Sequence, residues 1–481
     1  MRNEEESSYK HILKYVGLFG SVQFLSVLIQ LVRNKLVALI LGPMGMGLNS
    51  LFNSTVQLIS CSTNMGLDTS AVRRLSELYD QGLQQTLNHR IMVIRSWTMI
   101  TALGGMMVCL LLSGVLSHLT FSSADHLLHF MALSPAIAML AITGSETAIL
   151  KSLRQLTKLA RLSLLNVFLA VAITTPIFYF FRLKGIIPSI LIAAFIQMIL
   201  TLRASYRLAP LRISFRKDIL LQGSDMLKLG ISFVLAGVCA SGADFAIRSI
   251  LNNMGALDAV GLYNAGFVMT VTYAGLVFSS LSSDFFPRLS AVNTDVKESN
   301  LLINKQIEVS VMILAPMLIA LVLGVPLLVP MLFSSEFLPI VPMVQIASLA
   351  MFLRAMKLPV AFLTLAKGAS RDYFLLEAYS ALVLVVCVIV GFRLWGITGT
   401  GVGLLVTGFI DYIVVNVYAR LRFGYRMSFK MLVLSFAQLI LLLGTFAICM
   451  GADLTFTYWL FGGAIVVVSL LTSFLFYIMS N

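Results

Sequence analysis

Runs of about 20 to 25 predominantly apolar residues recur along the whole chain, and no other feature constrains its fold as much. A helix needs about 20 such residues to cross a bilayer, and in hydrocarbon a helix satisfies its own backbone polar groups. Composition agrees. Of 481 residues, 59% are hydrophobic and 11% charged, against about 25% charged in an ordinary soluble protein. The alternating pattern of a membrane β-barrel is absent. The expected fold is therefore an all-α polytopic membrane protein.

Hydropathy predicts fourteen spans: 11–40, 45–66, 91–116, 127–150, 160–181, 186–206, 226–251, 258–283, 302–325, 339–366, 371–392, 397–419, 430–450 and 455–479. The N-terminus, MRNEEESSYKHILK, is polar and mixed in charge. It does not resemble a cleavable signal peptide, so the first span is expected to stay. The net charge of +13 would suggest nucleic acid in a soluble protein. Here the positive-inside rule accounts for it. With the N-terminus placed in the cytoplasm, 25 of the 34 Lys and Arg fall on cytoplasmic segments. Three, Arg182, Lys184 and Arg393, fall on the opposite side. Both termini are thus expected to be cytoplasmic, with no nucleic-acid partner.

The other six basic residues, Arg33, Lys35, Arg95, Arg248, Arg354 and Lys357, lie within spans. Arg95 sits close to a cytoplasmic end and is expected to snorkel. For the rest, a charge at the bilayer centre costs at least about 2.5–3.5 kcal/mol, so they should face a bundle interior or a wet cavity. The in-span acids are Glu146, Asp244 and Asp411, with Glu308 and Glu377 nearer span ends. In DFAIRSI (244–250), Asp244 and Arg248 are four residues apart on one helical face. They can neutralise each other and still line a polar cavity. Arg354 and Lys357 share a face of span 10, with no acid three or four residues away. They either pair across helices, with Asp411 or Asp244, or present positive charge to a ligand. The second reading is adopted, because Arg holds phosphate bidentately and Lys holds it as a point charge. Asp244, Asp411 and Glu377 are read as charge-balancing or ion-coupling residues. Pro316 and Pro359 would kink their spans.

The halves of the chain echo each other at an offset of 214 residues. GMGLNS (45–50) resembles AVGLYN (259–264), and AVRRLSEL (71–78) resembles FFPRLSAV (285–292). Leu13-Lys14 matches Leu227-Lys228 in the same register. Six spans separate the copies, so the repeat is parallel, an arrangement common in transporters with a site at the repeat interface. The expected division is an N-terminal lobe at 1–210, a C-terminal lobe at 211–425 and an appended helix pair at 426–481.

Catalytic chemistry has little to stand on. No segment outside the spans is long enough for a soluble domain, and no GxxxxGK[ST] phosphate loop occurs. The five cysteines lie in apolar runs and read as packing residues. His126 and His129 are three apart but lack neighbouring ligands of metal type. No catalytic residue, metal site or cofactor is expected, and the chain is read as a non-enzyme.

Three stretches carry a family resemblance. GPMGMGLNSLFNSTVQLISCSTNMGLDTSAVRRLSEL (42–78) resembles the second-helix region of the polysaccharide-transporter branch of the multidrug/oligosaccharidyl-lipid/polysaccharide (MOP) exporter superfamily. LAKGASRDYFLLEAYSALVLVV (365–386) and GITGTGVGLLVTGFIDY (396–412) are similar to Wzx-type flippases for O-antigen and enterobacterial common antigen. The resemblance spans residues 10–425. It implies two MATE-like six-helix lobes around a cationic cavity, in the bacterial inner membrane. It implies alternating-access flipping of undecaprenyl-pyrophosphate-linked oligosaccharide, such as the O-antigen unit of lipopolysaccharide. The implied partners are that lipid-linked glycan, membrane lipid and a polysaccharide polymerase or ligase. Arg33, Lys35, Arg248, Arg354 and Lys357 are the candidate anion contacts. Many Wzx proteins end after twelve spans, whereas the related lipid II flippases have fourteen. The competing readings are a cation-coupled small-molecule exporter on the same fold and a membrane glycan polymerase.

Overall fold

The computed structural model describes residues 2–216, 224–451 and 456–480. Lys217, one of the basic residues counted above, lies outside them. Every regular element among the described residues is helical. Eleven stretches are long and apolar enough to cross a membrane. The three longest are each broken near the middle. Leu25–Thr63 bends at Gly42 (φ 65°), just before Pro43. Thr157–Tyr206 is interrupted by a 3-10 turn at Arg182–Gly185. Ser370–Phe423 breaks at Trp395 and Gly396.

The chain forms two compact units, Met1–Leu257 and Asp258–Asn481. The seventh span of the sequence reading falls in the first unit, and the last two helices fall in the second. In the first unit, α1 (Arg2–Thr63) is followed by α2 (Leu67–Asp80), α3 (Gln84–Phe121), α4 (Leu127–Ser152), α5 (Leu156–Phe181) and α6 (Ile186–Tyr206). The first part of α7 (Ser224–Phe267) completes it. Helix α3 packs on α4, α4 on α6, and α1 on α5. Lipid tails are as apolar as Leu, so this packing rests on dispersion and interhelical polar bonds more than on water exclusion. Phe52, Phe130, Phe178 and Phe245 fill one buried cluster. Helix α2 is different in kind. Ala71, Leu75 and Leu78 form a stripe at helical spacing, while Arg74 and Glu77 point outward. The stripe docks on Ile91, Ile94, Ala148 and Ile149.

The second unit holds the rest of α7, a π-turn at Val268–Thr272, and α8 (Tyr273–Ala291). Then follow α9 (Val296–Leu332), α10 (Val341–Ala366), α11 (Ser370–Phe423), α12 (Phe429–Gly451) and α13 (Phe456–Ser480). Helix α11 folds back on itself at Gly396, whose φ of 58° suits glycine. Its two halves approach so closely that a methyl group at Gly391 or Gly399 would collide with the other's carbonyl. Helices α12 and α13 pack on α9. Gln438 of α12 donates to the Ser469 carbonyl and to Ser473 Oγ of α13, both at 3.0 Å.

Candidate functional site

In the first unit, the half of α1 before the bend carries Gln30 and Arg33, and the half after it carries Asn53. Together with Asn166 of α5, Ser189 and Gln197 of α6, and apolar neighbours, they line a cavity of about 350 Å³. No acid is among the lining residues. Arg33 has a buried Nε without a hydrogen-bond partner, and Asn166 has an equally orphaned Oδ1. Among the described residues no carboxylate lies within ion-pair distance of Arg33. A desolvated cation without a counter-ion is costly, so this cavity is suited to an anion.

The second unit arranges its in-span charges differently. Lys357 of α10 pairs with Asp411 of α11 at 2.7 Å, with side chains 17% and 8% exposed. Ser380, on the other half of α11, donates to the same carboxylate oxygen at 2.5 Å. Glu377 and Tyr373 line the small void beside this pair. Arg354, one turn away on α10, instead lies over the Phe278 ring of α8, 5.7 Å from its centroid. It makes no ion pair among the described residues.

The sequence candidates therefore separate. Arg33 lines the first cavity, while Lys35, two residues on, is half-buried and does not line it. Asp244 and Arg248 form the i,i+4 ion pair their spacing suggests, with the Arg side chain only 7% exposed. Lys357 takes the cross-helix alternative with Asp411, whereas Arg354 makes no direct ion pair among the described residues, with Glu377 and Asp411 close enough to act on its charge.

Arg95 corrects an expectation. It does not snorkel. Its side chain is 3% exposed and grips Glu146 of α4 through bonds of 2.7 and 2.8 Å. It also donates to the carbonyls of Ala209 and Pro210 at 3.1 and 3.0 Å and lies over the Tyr206 ring. The physical reason is that α3 begins at Gln84, eleven residues before Arg95. That distance is about 16 Å of helix, and segment 207–216 crosses over the arginine instead of leaving it open. Glu146 carries its negative charge into this knot, where Ser205 Oγ also donates to it.

At the start of α4, His126, just outside the span, and His129, within its first turn, approach through their Nδ1 atoms at 3.0 Å, against Phe121 and Phe52. Burial, reinforced by His129, lowers the His126 pKa from the ordinary histidine value, with Asp125 opposing.

Charge counting in the sequence passed over the carboxamides Gln30, Asn53, Asn166 and Gln197. A signal existed: Asn53, Gln57 and Ser60 recur at i, i+4 and i+7 inside an apolar run, which places three polar groups on one face.

The model of a family described as polysaccharide biosynthesis protein matches residues 36–342. No curated protein matches the chain. Among solved structures, the chain is similar to the lipid II flippase MurJ in an inward closed conformation. The identity is 15%, the match covers 96% of this chain and 98% of that one, and the TM-score is 0.73. It is also similar to an inward-facing multidrug resistance MATE family transporter of the MOP superfamily. There the identity is 13%, the coverage 83% and 94%, and the TM-score 0.69. A third neighbour is a MOP superfamily transporter from Pyrococcus furiosus, described as having a binding pocket of reverse polarity. It shows 13% identity, coverage of 85% and 96%, and a TM-score of 0.61. These relatives share the fold at low identity, and they are transporters and a flippase, not enzymes. A multi-pass membrane protein built on the MOP transporter fold, the chain belongs to the polysaccharide biosynthesis protein family.

Proposed function

We propose that the protein flips an undecaprenyl-pyrophosphate-linked oligosaccharide, an O-antigen-type repeat unit, across the bacterial inner membrane by alternating access. Both termini lie in the cytoplasm, and each half of the three broken stretches crosses once, which makes fourteen spans. The lobes are 1–210 and 211–425, with 426–481 as an added pair. Membrane lipid and the polymerase or ligase that receives the glycan are its partners. The observation that carries this reading is the Arg33 cavity, where a guanidinium with no counter-ion among the described residues meets carboxamides and no acid. A diphosphate would supply the missing negative charge and charge-assisted hydrogen bonds. Arg354, which lies over Phe278 with Glu377 and Asp411 acting on its charge, joins Lys35, Arg248 and Lys357 as a further basic residue of the pathway.

The cation-coupled exporter gains less support. Asp411 is held by Lys357 and Asp244 by Arg248, so neither acid offers an uncompensated charge to a cation. Glu377, beside the Lys357–Asp411 pair, balances charge there.

In proteoliposomes containing undecaprenyl-diphosphate-linked oligosaccharide, the wild type is expected to expose the glycan to a lectin outside. Arg33→Gln is expected to slow that exposure at least tenfold while staying folded. Wild-type rates in this variant overturn the role of Arg33. Absence of flipping by the wild type overturns the function.

A further inference from the structure

Next to the Arg33 cavity lies a second one of about 620 Å³, formed by α1, α2, α4 and α6 of the first unit. The two share Leu140 and Gln197 in their linings. We infer that this second cavity is a sugar subsite, which takes the hydroxyl and acetamido groups of the saccharide attached directly to the diphosphate. The inference rests on the flippase reading and assigns the glycan a place within it.

Three observations carry it. First, the polar lining consists of two stripes at helical spacing. Gln57 and Ser60 stand on α1, and Thr143 and Thr147 on α4, with Lys151 at the end of the α4 stripe. The stretch of α4 from Leu140 to Lys151 is about 16 Å long at 1.5 Å per residue. The cavity is thus a groove along a helix and not a point site.

Second, these polar groups are available. Among the described residues, the side chains of Gln57, Thr147 and Gln197 make no hydrogen bond within the protein. Thr143 donates to the Met139 carbonyl at 2.7 Å, which leaves its hydroxyl oxygen free to accept. Amides and hydroxyls offer donors and acceptors together, as a sugar does. The lining has no acid, so it does not select a cation.

Third, the groove also has an apolar side. Val72, Leu140 and Ala148 supply it, and Gly144 leaves width between them. A pyranose ring presents C–H faces as well as a hydroxyl rim, and it can use both. A ligand whose diphosphate is held at Arg33 carries its first sugar past Leu140 and Gln197 into this groove.

The test measures binding of two probes to the purified full chain in detergent. One is undecaprenyl diphosphate, and the other is undecaprenyl diphosphate bearing one N-acetylglucosamine. The wild type is expected to bind the sugar-bearing lipid at least tenfold more tightly. The double variant Gln57→Leu/Thr147→Val is expected to erase that preference and keep the affinity for the bare lipid. Thr147→Ser, which keeps the hydroxyl, is expected to retain the preference. Equal binding of both probes by the wild type, or an undiminished preference in the double variant, overturns the subsite. Arg33→Gln separates the two levels, because it should weaken both probes alike. Unchanged binding of both by that variant counts against the anion reading, whatever the sugar preference does.

Discussion

Arg95 and Glu146, 51 residues apart in sequence, meet through two hydrogen bonds in a site from which both side chains are almost wholly excluded from solvent. The pair ties α3 to α4, and through Ser205 it ties both to the end of α6 and through the Ala209 and Pro210 carbonyls to the segment after it. Removing one partner strands the other charge. Arg95→Ala or Glu146→Ala is therefore expected to cost about 3–5 kcal/mol, read as a lower unfolding temperature in detergent. The double replacement Arg95→Met/Glu146→Leu removes both charges and is expected to be milder than either single change. Equal loss in all three variants would show that the pair is not the source of the stability.

Lys357 and Arg354 share a helix face but have different partners, and their variants should differ too. Lys357→Met/Asp411→Leu removes a compensated pair and is expected to lower the flipping activity by less than the loss of Arg354 does. Arg354→Gln removes a charge that makes no direct ion pair among the described residues and is expected to lower activity at least tenfold at normal protein levels. The comparison is made in one proteoliposome assay. The reverse ranking would move the anion contact from Arg354 to Lys357.

The hairpin in α11 depends on the absence of side chains at its crossing point. A methyl group at Gly391 or Gly399 would meet the opposing carbonyl, which belongs to backbone and cannot rotate away. Gly399→Ala is expected to lower the unfolding temperature by several degrees, as an overpacking change of about 1–3 kcal/mol would. Gly463→Ala serves as control, because nothing lies within 4 Å of an added Cβ there.

His126 predicts a dependence on pH. Its pKa is lowered in the folded chain, with burial as the main cause, followed by His129. The unfolded chain therefore binds the proton more readily, and stability rises with pH across that interval. The loss should begin as pH falls through the ordinary histidine value of about 6.5. Thermal unfolding between pH 7.5 and pH 5.5 checks this. His126→Gln is expected to flatten the profile, and an unchanged slope would remove His126 as its origin.

Much of the candidate site was legible in the residues themselves. The in-span charges stand out against lipid because each is expensive there, and that singled out Arg33, Arg248, Arg354 and Lys357. The Asp244–Arg248 pair could be read directly, since four residues along a helix bring two side chains onto one face. Arg95 was misjudged for the same local reason: nearness to a span end says nothing about what crosses over it. Apart from the Asn53–Gln57–Ser60 stripe, the uncharged lining, with Thr143 and Thr147, was quiet in sequence, because single amides and hydroxyls are tolerated in membrane helices for many reasons.

What the sequence determined by itself was the kind of object. Apolar runs near bilayer length force helices that cross a membrane, and every buried charge must then find a partner or a wet cavity. Which partner it finds was decided only by the tertiary structure. Lys357 and Asp411 are 54 residues apart and Arg95 and Glu146 are 51, so helical periodicity cannot couple them. Packing of α3 on α4 and of α10 on α11 brings those charges together. Packing of α1 on α5 and of α5 on α6 leaves Arg33 lining a cavity with no counter-ion among the described residues, and there the cation is suited to an anion.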